Sequence, residues 1–219
     1  MVINMDRTIK KKYVLITVLL MLFFILTGLV ITGKMDVLDK YLFNFLIKLK
    51  CKPLSGVLYV ITKIGSTIGV IVVLLIILIP FIKLKKLSDF NYVFINTILG
   101  VLLMKGIKEI VRRARPSWRW IKESGYSYPS GHTISAVLLY GTLLLIVSKN
   151  VNGKLRKPLI IFLSIMLFLI PISRIYFGVH YLTDVLASYI LGFIILIITS
   201  INMNKEYYIH DKNKNRKTI

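Results

Sequence analysis

Residues 13–33 read YVLITVLLMLFFILTGLVITG, an unbroken run without a charge. At about 1.5 Å of rise per residue, such a run crosses the roughly 30 Å hydrocarbon core of a bilayer as one helix. Five further apolar blocks follow at about 57–82, 90–107, 133–148, 158–173 and 181–203, each bounded by charge, Pro or Gly. The pattern predicts an all-α, polytopic membrane bundle of about six transmembrane helices, forming a single domain over 1–219 with a basic tail from about 204. The blocks at 133–148 and 158–173 are short for a span, so they would extend into flanking residues or border a polar cavity.

Composition agrees. Of 219 residues 56% are hydrophobic, and the mean hydropathy is +0.76, too apolar for an ordinary soluble domain. The net charge of +21 would point to nucleic acid in a soluble protein. Here the apolar blocks exclude a nucleic-acid partner, and the cations encode topology instead. The first block follows Arg7 and Lys10 to Lys12 as a signal peptide would. It is too long for one, and no small-residue cleavage pattern follows Gly33, so it reads as an uncleaved anchor. The lone Cys51 has no disulfide partner in the chain. Residues 36–50 repeat apolar side chains at helical spacing, which fits a helix on the outer membrane interface or a loop helix packed on the bundle. The tail after about 204 is polar and basic and reads as disordered, and no internal repeat is visible.

The positive-inside bias places both termini in the cytoplasm, because the first block's flanking cations and the basic tail both favour that side. One segment then breaks the bias. Lys105, Lys108, Arg112, Arg113, Arg115, Arg119 and Lys122 all fall outside. Translocating seven cations is unfavourable, so they are expected to serve a purpose on the outer face.

Three polar clusters border the blocks, and polar residues near lipid are expected to be functional. The first is Lys108 with Arg115-Pro116. If the helix continued, Lys108, Arg112 and Arg115 would share one face, and Pro116 would end or kink it. The second is Pro129-Ser130-Gly131-His132, a capped helix start whose free amides suit phosphate and whose glycine admits close approach. The third is Ser173-Arg174 followed by His180 and Asp184, where the i, i+4 carboxylate can hold one imidazole nitrogen and leave the other free to attack. Each has a bland reading: snorkelling cations, a capped helix, a structural His–Asp pair. All three land on the same outer side under a topology read from other residues. Together they supply guanidinium forks, an ammonium, helix-start amides and two histidines, which is what phosphoryl chemistry needs. No carboxylate cluster points to a metal, and three cations can neutralise a phosphoryl group directly.

These residues, in this order and spacing, resemble the type 2 phosphatidic acid phosphatase superfamily, which includes lipid phosphate phosphatases, glucose-6-phosphatase and vanadium haloperoxidases. The signature falls within a core at about 90–203, and a weaker likeness reaches back over Thr62 to Gly69. The resemblance implies that His180 is the nucleophile of a phosphohistidine intermediate, oriented by Asp184. It makes His132 the acid for the leaving oxygen and the acceptor of water's proton. Lys108, Arg115, Ser130, Gly131 and Arg174 would hold the phosphoryl oxygens. Arg113, Pro116, Pro129 and Ser173 would support them. It implies no cofactor, no metal and no obligatory protein partner. The expected address is a bacterial cytoplasmic membrane with the site facing outward.

A membrane-embedded lipid phosphatase follows, with the lipid phosphate and surrounding membrane lipids as its partners. Among the substrates that the resemblance implies, undecaprenyl diphosphate ranks first, and the cations around Arg112 and Arg119 would suit a diphosphate. Phosphatidylglycerophosphate and phosphatidate are the alternatives. Readings from other classes are a lipid phosphotransferase, which differs only in the acceptor, and a nonenzymatic lipid-binding or transport protein. Trp118, Trp120, Tyr126 and Tyr128 would form an interfacial belt or simply anchor helix ends.

Overall fold

A helix forms on every apolar block, because a backbone in lipid must satisfy its own hydrogen bonds. The computed structural model describes the backbone of residues 2–216 and the side chains of residues 7–205. Eight helices are described, and no strand: α1 (Val2–Ile31), α2 (Asp36–Ile47), α3 (Lys52–Ile64), α4 (Thr67–Lys83), α5 (Leu87–Val111), α6 (Gly131–Asn150), α7 (Arg156–Tyr176) and α8 (Leu182–Arg216). Five of those described are long and apolar enough to cross a membrane, and α3 with α4, bent by 66° at their junction, are so only when taken together. The chain is a multi-pass membrane protein.

The block at 57–82 is therefore not one straight helix. Ser66 starts α4 anew: its Oγ accepts from the Gly69 amide at 3.2 Å and donates to the Lys63 carbonyl at 2.7 Å, so it caps both sides of the break. Gly65 at the corner is a matter of space. A Cβ there would lie 2.4 Å from Ile170 Cγ2 and 3.4 Å from His132 Cδ2, so only glycine lets the corner rest on α6 and α7.

Helix α6 is the axis of the bundle, buried along most of its length between α5, α7 and α8. Close approach to α8 uses Gly192, whose Cβ would meet Val137 Cγ1 at 2.5 Å. Buried Asn96 donates to Thr142 and Thr199, each at 2.9 Å, tying α5, α6 and α8. Such bonds average about 0.6 kcal/mol inside membranes, so they fix register more than they hold the bundle together. Lys12 on α1 donates to Ser200 on α8 at 2.8 Å, which sets both termini at one end of the bundle. The three polar clusters gather at the other.

Several expectations change here. The tail after about 204, expected to be disordered, continues α8 as far as Arg216, in a stretch that after Gly192 holds neither Gly nor Pro to end the helix. Helix α2 answers to both readings of residues 36–50. Asp39 and Phe43 are buried against the bundle, while Val37 and Tyr41 are exposed on the opposite face. Helix α5 stops at Val111, so Arg115 does not share a helical face with Lys108. Arg112 takes a left-handed conformation with φ of 49°, and no helix follows before Pro116, which disfavours a helical residue before it. Tyr128 is no belt residue, being fully buried with its hydroxyl 2.7 Å from Thr27 Oγ1. Trp118 stacks on Phe43, ring centroids 5.1 Å apart, and Trp120 packs edge-on to Tyr176 at 5.4 Å, which fastens the 112–130 connection to α2 and α7.

Candidate active site

His180 lies in the turn between α7 and α8, just before α8 begins, and not on a helix. The turn is tight because Val179 and His180 both donate their amides to the Arg174 carbonyl. Asp184, in the first turn of α8, reaches back, and its Oδ2 lies 3.2 Å from His180 Nδ1 and accepts from the Tyr181 amide at 3.0 Å. The carboxylate is completely buried. Arg115 Nη1 approaches His180 Nε2 at 3.1 Å. A guanidinium only donates, so Nε2 is the accepting nitrogen and Nδ1 carries the proton to Asp184. The arrangement thus selects the tautomer that carries its lone pair on Nε2, where it accepts from Arg115.

The cations converge from three elements. Lys108, near the end of α5, donates to the carbonyls of Tyr126 and Ser127. Arg115 ties the carbonyls of Ser124 and Gly125 to that of Val179, so it is held flat beside His180. Arg174, in the last turn of α7 and only 1% exposed, donates to Thr62 Oγ1 at 2.6 Å and pairs with Glu123. Its Nε has no partner among the described residues. An unpaired buried guanidinium donor is costly and is what an incoming phosphoryl oxygen would satisfy.

His132, in the first turn of α6, faces the same space, and no hydrogen bond engages its ring among the described residues. It borders two cavities. One, of about 470 Å³, runs between α4 and α5 along Val70, Leu74, Ile98 and Leu102 to Lys108, Arg115 and His180. The other, of about 520 Å³, is lined by Thr62, Lys63, Lys122, Glu123 and Arg174. The site thus has an apolar side and a polar side, and His132 belongs to both. Gly131 borders the first cavity, with Met104 packed where its Cβ would be.

Not every expected residue joins them. Ser130 is fully buried and lines neither cavity; its Oγ accepts from the Thr133 amide and hydroxyl as the cap of α6. Ser173 spends its hydroxyl on the Ile170 carbonyl, and Pro116 and Pro129 are buried beside the site. Arg113 does stand behind Asp184, donating to its Oδ1 at 2.9 Å. Arg112 and Arg119 turn to the carbonyls of Glu109 and Pro116 and line neither cavity, whereas Lys122 close by lines the polar one.

Residues 90–208 match the profile of the PAP2 superfamily. The chain belongs to the PAP2 superfamily. Phosphatidylglycerophosphatase B of Bacillus subtilis is 27% identical over 183 residues, covering 82% of this chain and 90% of that protein. The protein of the same name from Haemophilus influenzae is 34% identical over 87 residues, 36% of this chain and 35% of its own. In fold, this PAP2 chain is similar to the crystal structure of a transmembrane PAP2-type phosphatidylglycerolphosphate phosphatase from Bacillus subtilis. The TM-score is 0.78 at 26% identity, with 87% of this chain and 96% of the other covered. Aquifex aeolicus LpxE shares the fold, with a TM-score of 0.61 at 23% identity, over 75% of this chain and 95% of its own.

Two PAP2-site partners were not evident from the sequence as such. Glu123 is the counterion of Arg174, and Asp39 that of Arg113. A trace of the second existed, since Asp39 sits three and four positions before Leu42 and Phe43, on an apolar face where a carboxylate needs a reason.

Burial first, then the charges of Arg115, Arg174 and Lys108, hold the His180 imidazole well below the ordinary histidine range. The sign is clear: protonation, which would occupy Nε2, moves to lower pH than about 6.5. The chain has three histidines, so labelled imidazole resonances in detergent can be assigned by deletion. The resonance missing from His180→Ala is expected to stay neutral through pH 6, and an ordinary midpoint there would show an unshielded ring.

Proposed function

We propose that this chain hydrolyses phosphatidylglycerophosphate to phosphatidylglycerol and phosphate at the outer face of a bacterial cytoplasmic membrane, through a phosphohistidine. The chain is a lipid phosphate hydrolase. The observation that carries the mechanism is the pair of contacts on His180, with Asp184 at Nδ1 and Arg115 at Nε2, beside the unpaired Arg174 Nε. Nε2 attacks phosphorus, the N–P bond forms, and the P–O bond to the lipid breaks as His132 delivers a proton to the leaving oxygen. Lys108, Arg115 and Arg174 hold the remaining oxygens and neutralise their charge without a metal. Water then attacks phosphorus, gives its proton to His132 and releases phosphate from Nε2.

The apolar cavity between α4 and α5 fits acyl chains, and the polar one fits a headgroup. The Bacillus and Haemophilus relatives and the Bacillus structure are phosphatidylglycerophosphatases, which favours that substrate over undecaprenyl diphosphate, expected first, and Arg112 and Arg119 line neither cavity. Phosphatidylglycerophosphate carries a phosphodiester one glycerol away from its terminal phosphate. Lys105 lines the apolar cavity one helical turn before Lys108 and has no hydrogen-bond or ion-pair partner among the described residues. We assign it the contact with that second phosphate. The outward orientation is supported by the basic termini, which lie at the end of the bundle away from the site.

The test is phosphate release by protein purified in detergent with chelator, on phosphatidylglycerophosphate, phosphatidate, undecaprenyl diphosphate and glucose 6-phosphate. Phosphatidylglycerophosphate is expected to be turned over fastest, and Lys105→Gln to lower its rate relative to phosphatidate by about tenfold. Fastest turnover of undecaprenyl diphosphate would reverse the substrate assignment. A strict need for divalent metal would overturn charge neutralisation by the three cations.

A further inference from the structure

We propose that Asp39, on the short helix α2, is a positioning residue for the nucleophile: through Arg113 and Thr183 it holds the first turn of α8, and with it Asp184 and His180. The inference rests on His180 being the attacking group. Asp39 is 2% exposed although α2 lies at the rim of the bundle. Its Oδ2 accepts from Arg113 Nη2 at 2.8 Å and from Thr183 Oγ1 at 2.7 Å, and its Oδ1 accepts from the Thr183 amide at 3.0 Å. Arg113 Nη1 donates in turn to Asp184 Oδ1 at 2.9 Å and to Thr183 Oγ1 at 2.7 Å.

Two physical effects follow. The first turn of α8 has amides with no helical acceptor, and Asp39 supplies one from another helix, placing negative charge at the positive end of the dipole. A guanidinium held between two buried carboxylates also cannot rotate. Its plane is set by Asp39 on one side, and it sets Asp184 on the other, while Tyr181 closes over it with the ring centroid 3.8 Å from the guanidinium carbon. Asp184 therefore has both oxygens committed, one to Arg113 and one to His180 and Tyr181, and the imidazole inherits that geometry. Asp36 also touches Arg113, at 3.3 Å, but its side chain is 69% exposed, so solvent screens it.

Asp39 contacts neither cavity, so its removal should misplace the nucleophile without touching the groups that bind phosphate. Asp39→Asn is expected to lower kcat on the order of 10- to 100-fold, with KM changed less than about threefold. Asp36→Asn should cost less than about fivefold. The decisive measurement is the cycle with Asp184→Asn. If Asp39 acts only through Asp184, the double variant is no slower than Asp184→Asn alone, whereas general loosening of the bundle would multiply the two losses. Thermal unfolding in detergent checks that Asp39→Asn folds. If it does not, Thr183→Val removes the hydroxyl link alone and should show a smaller kcat loss, still more than about threefold, with the same non-additivity. A folded Asp39→Asn, or in its place Thr183→Val, with kcat within about threefold of the parent would overturn the proposal, as would losses that multiply. The His180→Ala control separates the two readings. Activity in that control defeats the mechanism itself, while an inactive control beside a fully active Asp39→Asn defeats this inference alone.

Discussion

His180→Ala is expected to release no measurable phosphate, a loss of about 10⁴-fold or more in kcat. The imidazole is the group whose accepting nitrogen faces the cavity with its other nitrogen held by a buried carboxylate, and alanine leaves nothing there to attack phosphorus. The fold should survive, because Asp184 keeps its bonds to Arg113 and the Tyr181 amide. The intermediate offers a second readout. A phosphoryl group on nitrogen is labile in acid and stable in base, so labelled lipid phosphate quenched in base should leave label on the parent protein and none on His180→Ala. Near-normal turnover by His180→Ala, purified free of host phosphatases, would end the phosphohistidine mechanism.

Asp184→Asn is expected to retain a residual rate, about 10²- to 10⁴-fold below the parent, with little change in KM. Both oxygens of Asp184 accept hydrogen bonds, Oδ1 from Arg113 and Oδ2 from His180 and Tyr181. An amide offers one acceptor and one donor group in the same space. If its NH₂ faces His180, the imidazole must carry its proton on Nε2 and cannot attack. If it faces Arg113, two donors oppose each other in a site with no water contact, and the carboxylate's charge is lost from beside the forming phosphohistidine cation. Lys108, Arg115 and Arg174 are untouched, so substrate still binds. Asp184→Asn working within tenfold of the parent would show that the carboxylate neither selects the tautomer nor stabilises the charged ring.

The membrane class and the chemistry were legible because each depends on residues that are near one another in the chain. A run such as residues 13–33 needs only its length and lack of charge to imply a spanning helix. Likewise Ser130-Gly131-His132 and the His180–Asp184 spacing carry their meaning within a turn or two. The bend at Gly65-Ser66 is an intermediate case. A capping serine after glycine was present in the sequence, yet the block at 57–82 is apolar enough to read as one helix, and what makes the corner necessary is the contact of Gly65 with Ile170 and His132.

The sequence alone therefore determined the all-helical membrane architecture and singled out Lys108, Arg115, His132, Arg174, His180 and Asp184 as candidates for phosphoryl handling, since hydropathy and short spacing are local properties. Only the tertiary structure decided how they are held. Arg115 arrives on a non-helical segment after a left-handed Arg112, Arg174 is positioned by Thr62 from 112 positions away, and Arg113 is clamped by Asp39 across 74. Ser130, read as a helix cap, is one, but it lines neither cavity, and Arg112 and Arg119 also lie outside them. A buried charge must find a partner wherever the chain brings one close, and that choice is made by packing across the bundle, which no local pattern encodes.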